Sequence, residues 1–122
     1  INSITFVQLL SPTTSKQRMK QIIKDSDNMI YYISQSSTTG GKLKVTPKDI
    51  LKNYNKIKYL AKGKNCVIGF GITDKNISKF KSADGVVVGS LNSKIITNAI
   101  KKKHNPVIKL DRMIKKLKKK II

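Results

Sequence analysis

The chain has 122 residues, which is enough for one domain. It carries 26 Lys and Arg residues against 6 acidic residues, and it has one cysteine, which excludes an internal disulfide and favours a reducing, cytoplasmic location. No apolar stretch reaches the length of about eighteen residues that a membrane span requires, so no membrane association is expected.

The net charge of +20 would ordinarily indicate a nucleic acid or an anionic surface as the partner. Almost all of this charge is lysine, and lysine, isoleucine and asparagine, which are abundant here, all have A/T-rich codons. A genome biased toward A and T therefore accounts for the lysine-rich composition and its charge. The lysine-rich runs 101–103 and 115–120 also lack the interleaved aromatic side chains that stack on bases. Nucleic acid is not expected as a partner, although a basic fragment that binds polyanions stays open as an alternative.

Strand-like and helix-like patterns alternate along the chain, which predicts a parallel sheet built from βα units. The first predicted strand covers residues 4–10. Thr14, with Gln17 three residues later, resembles a capping box. The helix that follows is predicted to bury an apolar face that includes Met19 and Ile23.

The second predicted strand covers residues 29–34. Tyr31 and Tyr32 are adjacent on it and must point to opposite faces of the sheet, so one ring packs beneath a helix and the other lies on the opposite face, where it could contact a substrate. A polar loop, residues 35–45, follows and is longer than the usual two to six residues of such a connection. Long loops of this kind are where barrels place lids over their substrates.

A strong helix start follows the loop. Thr46 supplies a capping hydroxyl, Pro47 suits the first helical turn, and Asp49 lies near the positive end of the helix dipole. Apolar residues then recur at helical spacing from Ile50 onwards, and Gly63 is predicted to end the helix.

The third and fourth predicted strands cover residues 66–72 and 84–89. Between them, Thr73 and Asp74 are predicted to cap a short helix. Ser90 begins a helix that runs toward residue 103, and a proline at position 106 separates it from an amphipathic terminal helix.

Glycine lies where three strand-like runs end. Gly40, Gly71 and Gly89 lack a Cβ atom, so a phosphate can approach their amides, and Ser90 adds a hydroxyl at a helix start. Phe70 lies between two glycines, where the pattern slightly favours the core over a ligand. Three glycines after three different strands, all on the carboxyl side of one sheet, predict a phosphate-binding site.

Groups for acid–base catalysis are scarce. All six acidic residues are aspartates, and five of them occupy structural places. Asp74 alone is expected near the active face, where capping accounts for it, and His104 is expected to be exposed. No zinc spacing, nucleophile elbow or Walker-type loop is present. The sequence predicts a chain that binds a phosphate ester, with no catalytic residue and no metal site of its own.

Five segments resemble the tryptophan synthase alpha chain family in their order and spacing, namely residues 6–14, 30–34, 38–40, 69–72 and 83–90. The resemblance covers essentially all 122 residues. It implies a TIM (β/α)8 barrel, of which residues 1–122 are expected to form the C-terminal half of a single domain, with strands five to eight, while the N-terminal half lies outside this sequence.

The resemblance implies a carbon–carbon lyase of tryptophan biosynthesis, which cleaves indole-3-glycerol phosphate to indole and glyceraldehyde 3-phosphate. Tyr31 matches a tyrosine near the substrate, and Thr39 matches a threonine of a mobile loop. The family's catalytic glutamate and aspartate would both precede Ile1, so the segment is expected to be inactive alone. The residues that match the family's phosphate ligands are Gly40, Phe70, Gly71, Gly89 and Ser90.

The resemblance also implies a partner, the tryptophan synthase beta chain, in an alpha-beta-beta-alpha tetramer. Pyridoxal phosphate is expected only in that beta chain, so no cofactor is expected in this one. Another phosphate-binding barrel enzyme of amino-acid or cofactor biosynthesis remains the alternative.

Overall fold

The computed structural model describes residues 3–34 and 45–122. In this part of the chain, parallel strands form one sheet in sequential order, with helices between and after them. The strands are β1 (Gln8–Leu10), β2 (Met29–Ile33), β3 (Asn65–Gly69) and β4 (Gly85–Val86). The helices are α1 (Lys16–Asp25), α2 (Pro47–Leu60), a 3₁₀ helix (Ile77–Phe80), α3 (Ser90–Lys101) and α4 (Pro106–Ile121). Sequential parallel strands joined by helical crossovers form the wall of a (β/α)8 barrel, as predicted.

The strand register gives the sheet one packed face and one open face. Leu10, Tyr32 and Ile68 lie in one row across β1, β2 and β3, and all three are buried in the core between sheet and helices. The neighbouring row contains Leu9, which is 54% exposed, and Tyr31, which is half-buried. The two adjacent tyrosines therefore point to opposite faces, as predicted.

Helix α2 forms as its sequence predicts. Thr46 is the N-cap, and its side chain accepts a hydrogen bond from the Asp49 N–H, while Pro47 occupies the first turn. The helix ends at Leu60, and Gly63 follows with a φ of 81°. Its buried apolar residues are those predicted from the helical spacing, namely Ile50, Tyr54, Ile57 and Ala61.

Two predictions near the first strand are wrong in detail. β1 begins at Gln8 rather than at residue 4, because ladder pairing with β2 starts only there and Phe6 is 65% exposed. Helix α1 is capped by Ser15 rather than by Thr14. The Thr14 hydroxyl instead accepts a hydrogen bond from the Ser11 N–H, which closes the turn before the helix.

The later strands are shorter than predicted. β3 ends at Gly69 rather than at residue 72, because Phe70 and Gly71 have positive φ angles that no strand can accommodate. β4 retains only two residues of the predicted 84–89, and α3 ends at Lys101. Among the described residues, no helix is both long enough and apolar enough to cross a membrane.

Candidate functional site

The chain leaves β3 through two consecutive residues in the left-handed backbone region. Phe70 has a φ of 72° and Gly71 a φ of 68°. This conformation is easy for glycine but uncommon for a bulky residue, so surrounding contacts must hold it. Ser34 Oγ donates to the Phe70 carbonyl oxygen at 2.8 Å, and Asn76 Nδ2 donates to the Gly71 carbonyl oxygen at 2.8 Å. Both carbonyl groups of this turn are thus held by side chains.

Helix α3 begins without a side-chain cap. Ser90 is its first residue and Gly89 is the N-cap, and within the described residues no side chain bonds to its free amides as a cap. By contrast, the side chains of Ser15, Thr46 and Asn105 cap the other three α-helices described. A Cβ atom added at Gly89 would have no described atom within 4 Å. Among the described residues, the positive end of α3 therefore has room beside it, which favours an anion.

The turn after β3 and the start of α3 follow neighbouring strands. β3 and β4 pair in parallel, and the Val87 N–H donates to the Ile68 carbonyl oxygen at 2.8 Å just beyond the ladder. The Ser34 N–H donates to the Gly69 carbonyl oxygen at 3.1 Å, which adds the end of β2. Since parallel strands end on the same side, these elements share one margin of the sheet. We call it the carboxyl edge, and it comprises Ser34, Phe70, Gly71, Gly89 and Ser90.

Tyr31 lies on the open face of the sheet beside this edge. Its ring lies across Gly69, where an added Cβ atom would overlap the phenol. Burial raises the pKa of the Tyr31 phenol, which stays protonated near neutral pH. Thr39 and Gly40, the other two predicted site residues, lie outside the described residues.

Asp74 is held by the terminal helix and does not cap a helix, which corrects the sequence prediction. Its carboxylate lies 3.3 Å from Lys116 Nζ, and Lys120 Nζ donates to its carbonyl oxygen. The N-cap of the following 3₁₀ helix is Asn76. His104 is exposed, as predicted. Over residues 3–34 and 45–122, His, Cys, Asp and Glu side chains form no group of three or more that could hold a metal ion.

The profile of one protein family, described as tryptophan synthase alpha chain, matches residues 1–122. The chain belongs to the tryptophan synthase alpha chain family. The alpha chain of Pelagibacter ubique strain HTCC1062 is 61% identical over 118 residues, which are 97% of this chain and 44% of the relative. The alpha chain of Aquifex aeolicus strain VF5 is 38% identical over 91 residues, which are 71% of this chain and 34% of the relative.

The solved structures agree with this assignment. The crystal structure of tryptophan synthase subunit alpha from Legionella pneumophila strain Paris superposes with a TM-score of 0.78 at 26% identity. The match covers 94% of this chain and 41% of that structure. The chain thus spans less than half the length of the alpha chains it matches, and the predicted barrel fold is confirmed.

Three polar residues of this alpha-family site were not found from the sequence. Ser34 and Phe70 lie 36 positions apart, so no local pattern links them. Asn76 lies five residues after Gly71, and a turn-forming asparagine at that spacing is a signal that could have indicated its role. Asn92 Nδ2 donates to the Val88 carbonyl oxygen at 2.8 Å, while its buried Oδ1 has no hydrogen-bond partner among the described residues.

Proposed function

We propose that this chain supplies the phosphate-binding part of an enzyme that cleaves indole-3-glycerol phosphate to indole and glyceraldehyde 3-phosphate. One observation carries the proposal. The left-handed turn at Phe70 and Gly71 and the uncapped start of α3 at Gly89 and Ser90 share the carboxyl edge. Backbone amides at such turns and helix starts are favourable ligands for a phosphate dianion.

Four residues of the carboxyl edge have a proposed part in holding the phosphate. Gly89 leaves the room that a phosphate oxygen needs, and the Ser90 hydroxyl adds a donor. The amides of Phe70 and Gly71 approach from the neighbouring strand, and Gly40 is the remaining proposed ligand. Each charge-assisted hydrogen bond contributes about 1.5–3 kcal/mol, so a few of them account for tight retention of the phosphate.

The rest of the substrate is proposed to lie over the open face of the sheet. Tyr31 presents its ring there, next to the end of β3, and a flat aromatic ring suits contact with indole. Thr39 is proposed to act from the loop that follows β2. With the phosphate bound at one end of the substrate and the indole packed at the other, the carbon–carbon bond that is cleaved would be held in a defined position.

Cleavage of this bond needs an acid that protonates the indole carbon and a base that removes the hydroxyl proton. The chain contains no glutamate, and Asp74, the aspartate predicted near the site, is paired with Lys116. We therefore assign both proton transfers to carboxylates outside these 122 residues. The contribution of this chain is to bind and orient the phosphate ester, so the segment alone is proposed to be inactive.

The proposed partner is a tryptophan synthase beta chain, in an alpha-beta-beta-alpha assembly located in the cytoplasm. Membership in the alpha family supports a beta partner in general. Pyridoxal phosphate is assigned to that beta chain, and no residue of this chain is assigned to hold it. Co-elution of the two chains at equal stoichiometry would test the assembly, and separate elution at micromolar concentration would contradict it.

A chimera tests the activity directly. Residues 1–122 replace the matching segment of the Pelagibacter ubique alpha chain, whose 61% identity over this region favours correct folding. We expect the chimera to release indole and glyceraldehyde 3-phosphate from indole-3-glycerol phosphate. A folded chimera that neither cleaves this substrate nor binds glycerol 3-phosphate would overturn the proposal. Binding of glycerol 3-phosphate without cleavage would instead favour a different phosphate-binding barrel enzyme.

A further inference from the structure

Ser34 is a buried polar residue that joins the end of β2 to the turn after β3. It directly follows β2 and is 1% exposed. Its Oγ donates to the Phe70 carbonyl oxygen, and its N–H donates to the Gly69 carbonyl oxygen. Two adjacent donors of one residue thus hold two consecutive carbonyl groups at the end of β3.

The hydroxyl of Ser34 acts on a backbone that needs support. Phe70 is one of only two non-glycine residues in the described chain with a positive φ, and left-handed geometry is costly for a bulky residue. Because Ser34 is buried, water cannot readily replace its hydroxyl as the donor to the Phe70 carbonyl. Loss of the hydroxyl would let the peptide between Phe70 and Gly71 rotate, and the amide of Gly71 would rotate with it.

We propose that Ser34 is a positioning residue for the substrate phosphate. Its hydroxyl fixes the Phe70 carbonyl on the protein side, so that the Gly71 amide faces the phosphate. This inference rests on the proposed function, in which Gly71 is a phosphate ligand. Ser34 thereby ties the turn after β3 to the end of β2.

A second side chain gives an internal check on this role. Asn76 holds the next carbonyl group, that of Gly71, with a bond of the same length. If the two bonds restrain one turn, Ser34→Ala and Asn76→Ala should not act independently. We expect the double variant to raise KM by less than the product of the two single effects, because the turn is already released after the first substitution.

The chain offers a matched control for the loss of a hydroxyl. Ser26 Oγ also donates to a backbone carbonyl at 2.8 Å, that of Ile23, but it lies at the end of α1, before β2. Ser26→Ala therefore removes the same kind of bond at the opposite end of the sheet from the carboxyl edge. Both alanine variants should lower the melting temperature of the chimera, while only Ser34→Ala should alter substrate binding.

Steady-state kinetics of the chimera with indole-3-glycerol phosphate test the proposal. We expect Ser34→Ala to raise KM about tenfold, with kcat within about twofold, since a phosphate contact common to ground and transition states affects KM alone. The Kd for glycerol 3-phosphate should rise in parallel, and Ser34→Thr, which keeps the hydroxyl, should restore both values. Ser26→Ala should change neither value.

The outcomes separate this inference from the proposed function. An active chimera in which Ser34→Ala and Ser26→Ala have equal KM values would overturn the positioning role and leave the function intact. An inactive chimera that does not bind glycerol 3-phosphate would overturn both. If Ser34→Ala does not fold, Ser34→Cys takes its place in the test, because a thiol is close to a hydroxyl in size but is a weak hydrogen-bond donor. A raised KM in that variant supports the role, and an unchanged KM overturns it.

Discussion

The phenol oxygen of Tyr54 accepts a hydrogen bond from the backbone N–H of Asp84 at 2.9 Å and donates its own proton to the Cys66 carbonyl at 3.1 Å. Tyr54 lies on α2, Cys66 on β3, and Asp84 directly precedes β4, so one hydroxyl joins three elements. The Asp84 carboxylate also contacts β3, where it accepts a hydrogen bond from the Cys66 N–H at 2.9 Å. This network lies at the amino ends of β3 and β4, where barrels place stabilising residues, opposite the carboxyl edge.

Removal of the Tyr54 hydroxyl should destabilise the fold without affecting the site. Tyr54→Phe leaves a buried carbonyl and a part-buried amide without their partner, and we expect a loss of about 1–3 kcal/mol in the free energy of unfolding. Urea denaturation of the chimera measures it. Tyr59→Phe is the matched control, because Tyr59 is on the same helix but 70% exposed. Equal stabilities of the two variants would contradict the role of the network.

Asp84 should make the stability of the fold depend on acidic pH. Burial opposes its ionisation, but hydrogen bonds from Lys58 and the Cys66 N–H, with the Lys58 charge 2.7 Å away, outweigh burial and lower its pKa. Because its folded pKa is lower than its unfolded pKa, Asp84 stabilises the fold above the unfolded value and loses this contribution as the pH falls through the folded value.

The comparison of Asp84→Asn with the unsubstituted chimera tests this pH dependence. The difference in their free energies of unfolding should be largest above about pH 4, the ordinary range of an aspartate, and should shrink toward pH 2. Asp111→Asn is the control, because Asp111 also has a lysine partner, Lys115 at 2.8 Å, but is 53% exposed. Its effect should be small at every pH. A constant difference for Asp84→Asn across this range would refute the prediction.

Lys64 should stabilise the end of helix α1 from outside the helix. Its Nζ donates to the carbonyl oxygens of Ile23 and Ser26 and to the Ser26 hydroxyl, which places a cation at the negative end of α1. Lys64→Met should lower the free energy of unfolding by about 1–2 kcal/mol. Lys20→Met, an exposed site within α1, should change it by less than about 0.5 kcal/mol. Similar losses in both variants would show that general charge, and not the cap, is responsible.

Some elements could be predicted because the interactions that form them lie within a few residues of each other, and others could not. The start of α2 was predictable because Thr46 and Pro47 act on amides within the same turn. The start of α1 was missed by one residue because Thr14 and Ser15 both carry hydroxyls, and only the turn at Ser11 decides which one caps. The residues of β2 were nearly right, since their alternation is a period-two pattern.

The candidate site was predictable in its glycines but not in what holds them. Gly71 and Gly89 stand out because a residue without a Cβ atom, placed where a strand-like run ends, is typical of a backbone that turns sharply or that a ligand approaches closely. The end of β3 was placed three residues too late, because the chain turns at Phe70, whose carbonyl is held by Ser34 at the end of a different strand. The residue pattern within one segment cannot reveal a hydrogen bond between two residues that lie 36 positions apart.

Gly69 should be irreplaceable because of the aromatic ring beside it. A Cβ atom at Gly69 would overlap the Tyr31 phenol, so Gly69→Ala must displace that ring from the open face. We expect a loss of stability of about 1–3 kcal/mol and a raised KM for indole-3-glycerol phosphate. The combination with Tyr31→Ala, which removes the ring, should cost less than the sum of the single changes. Additive losses would mean that the ring is not held against Gly69.

Gly89 offers the sharpest test of the proposed phosphate site, because no atom of the described residues occupies its Cβ position. Its φ of −102° suits alanine and no described atom lies within 4 Å of an added Cβ, but alanine is a poorer N-cap than glycine, so Gly89→Ala should change stability by no more than about 1 kcal/mol. If a phosphate oxygen occupies this space, the methyl group should raise the Kd for glycerol 3-phosphate at least about tenfold. Gly85→Ala is the control, since its Cβ meets Val67 Cγ1 at 3.1 Å and should affect packing more than binding. A Gly89→Ala chimera that binds glycerol 3-phosphate normally would show that the phosphate does not occupy the start of α3.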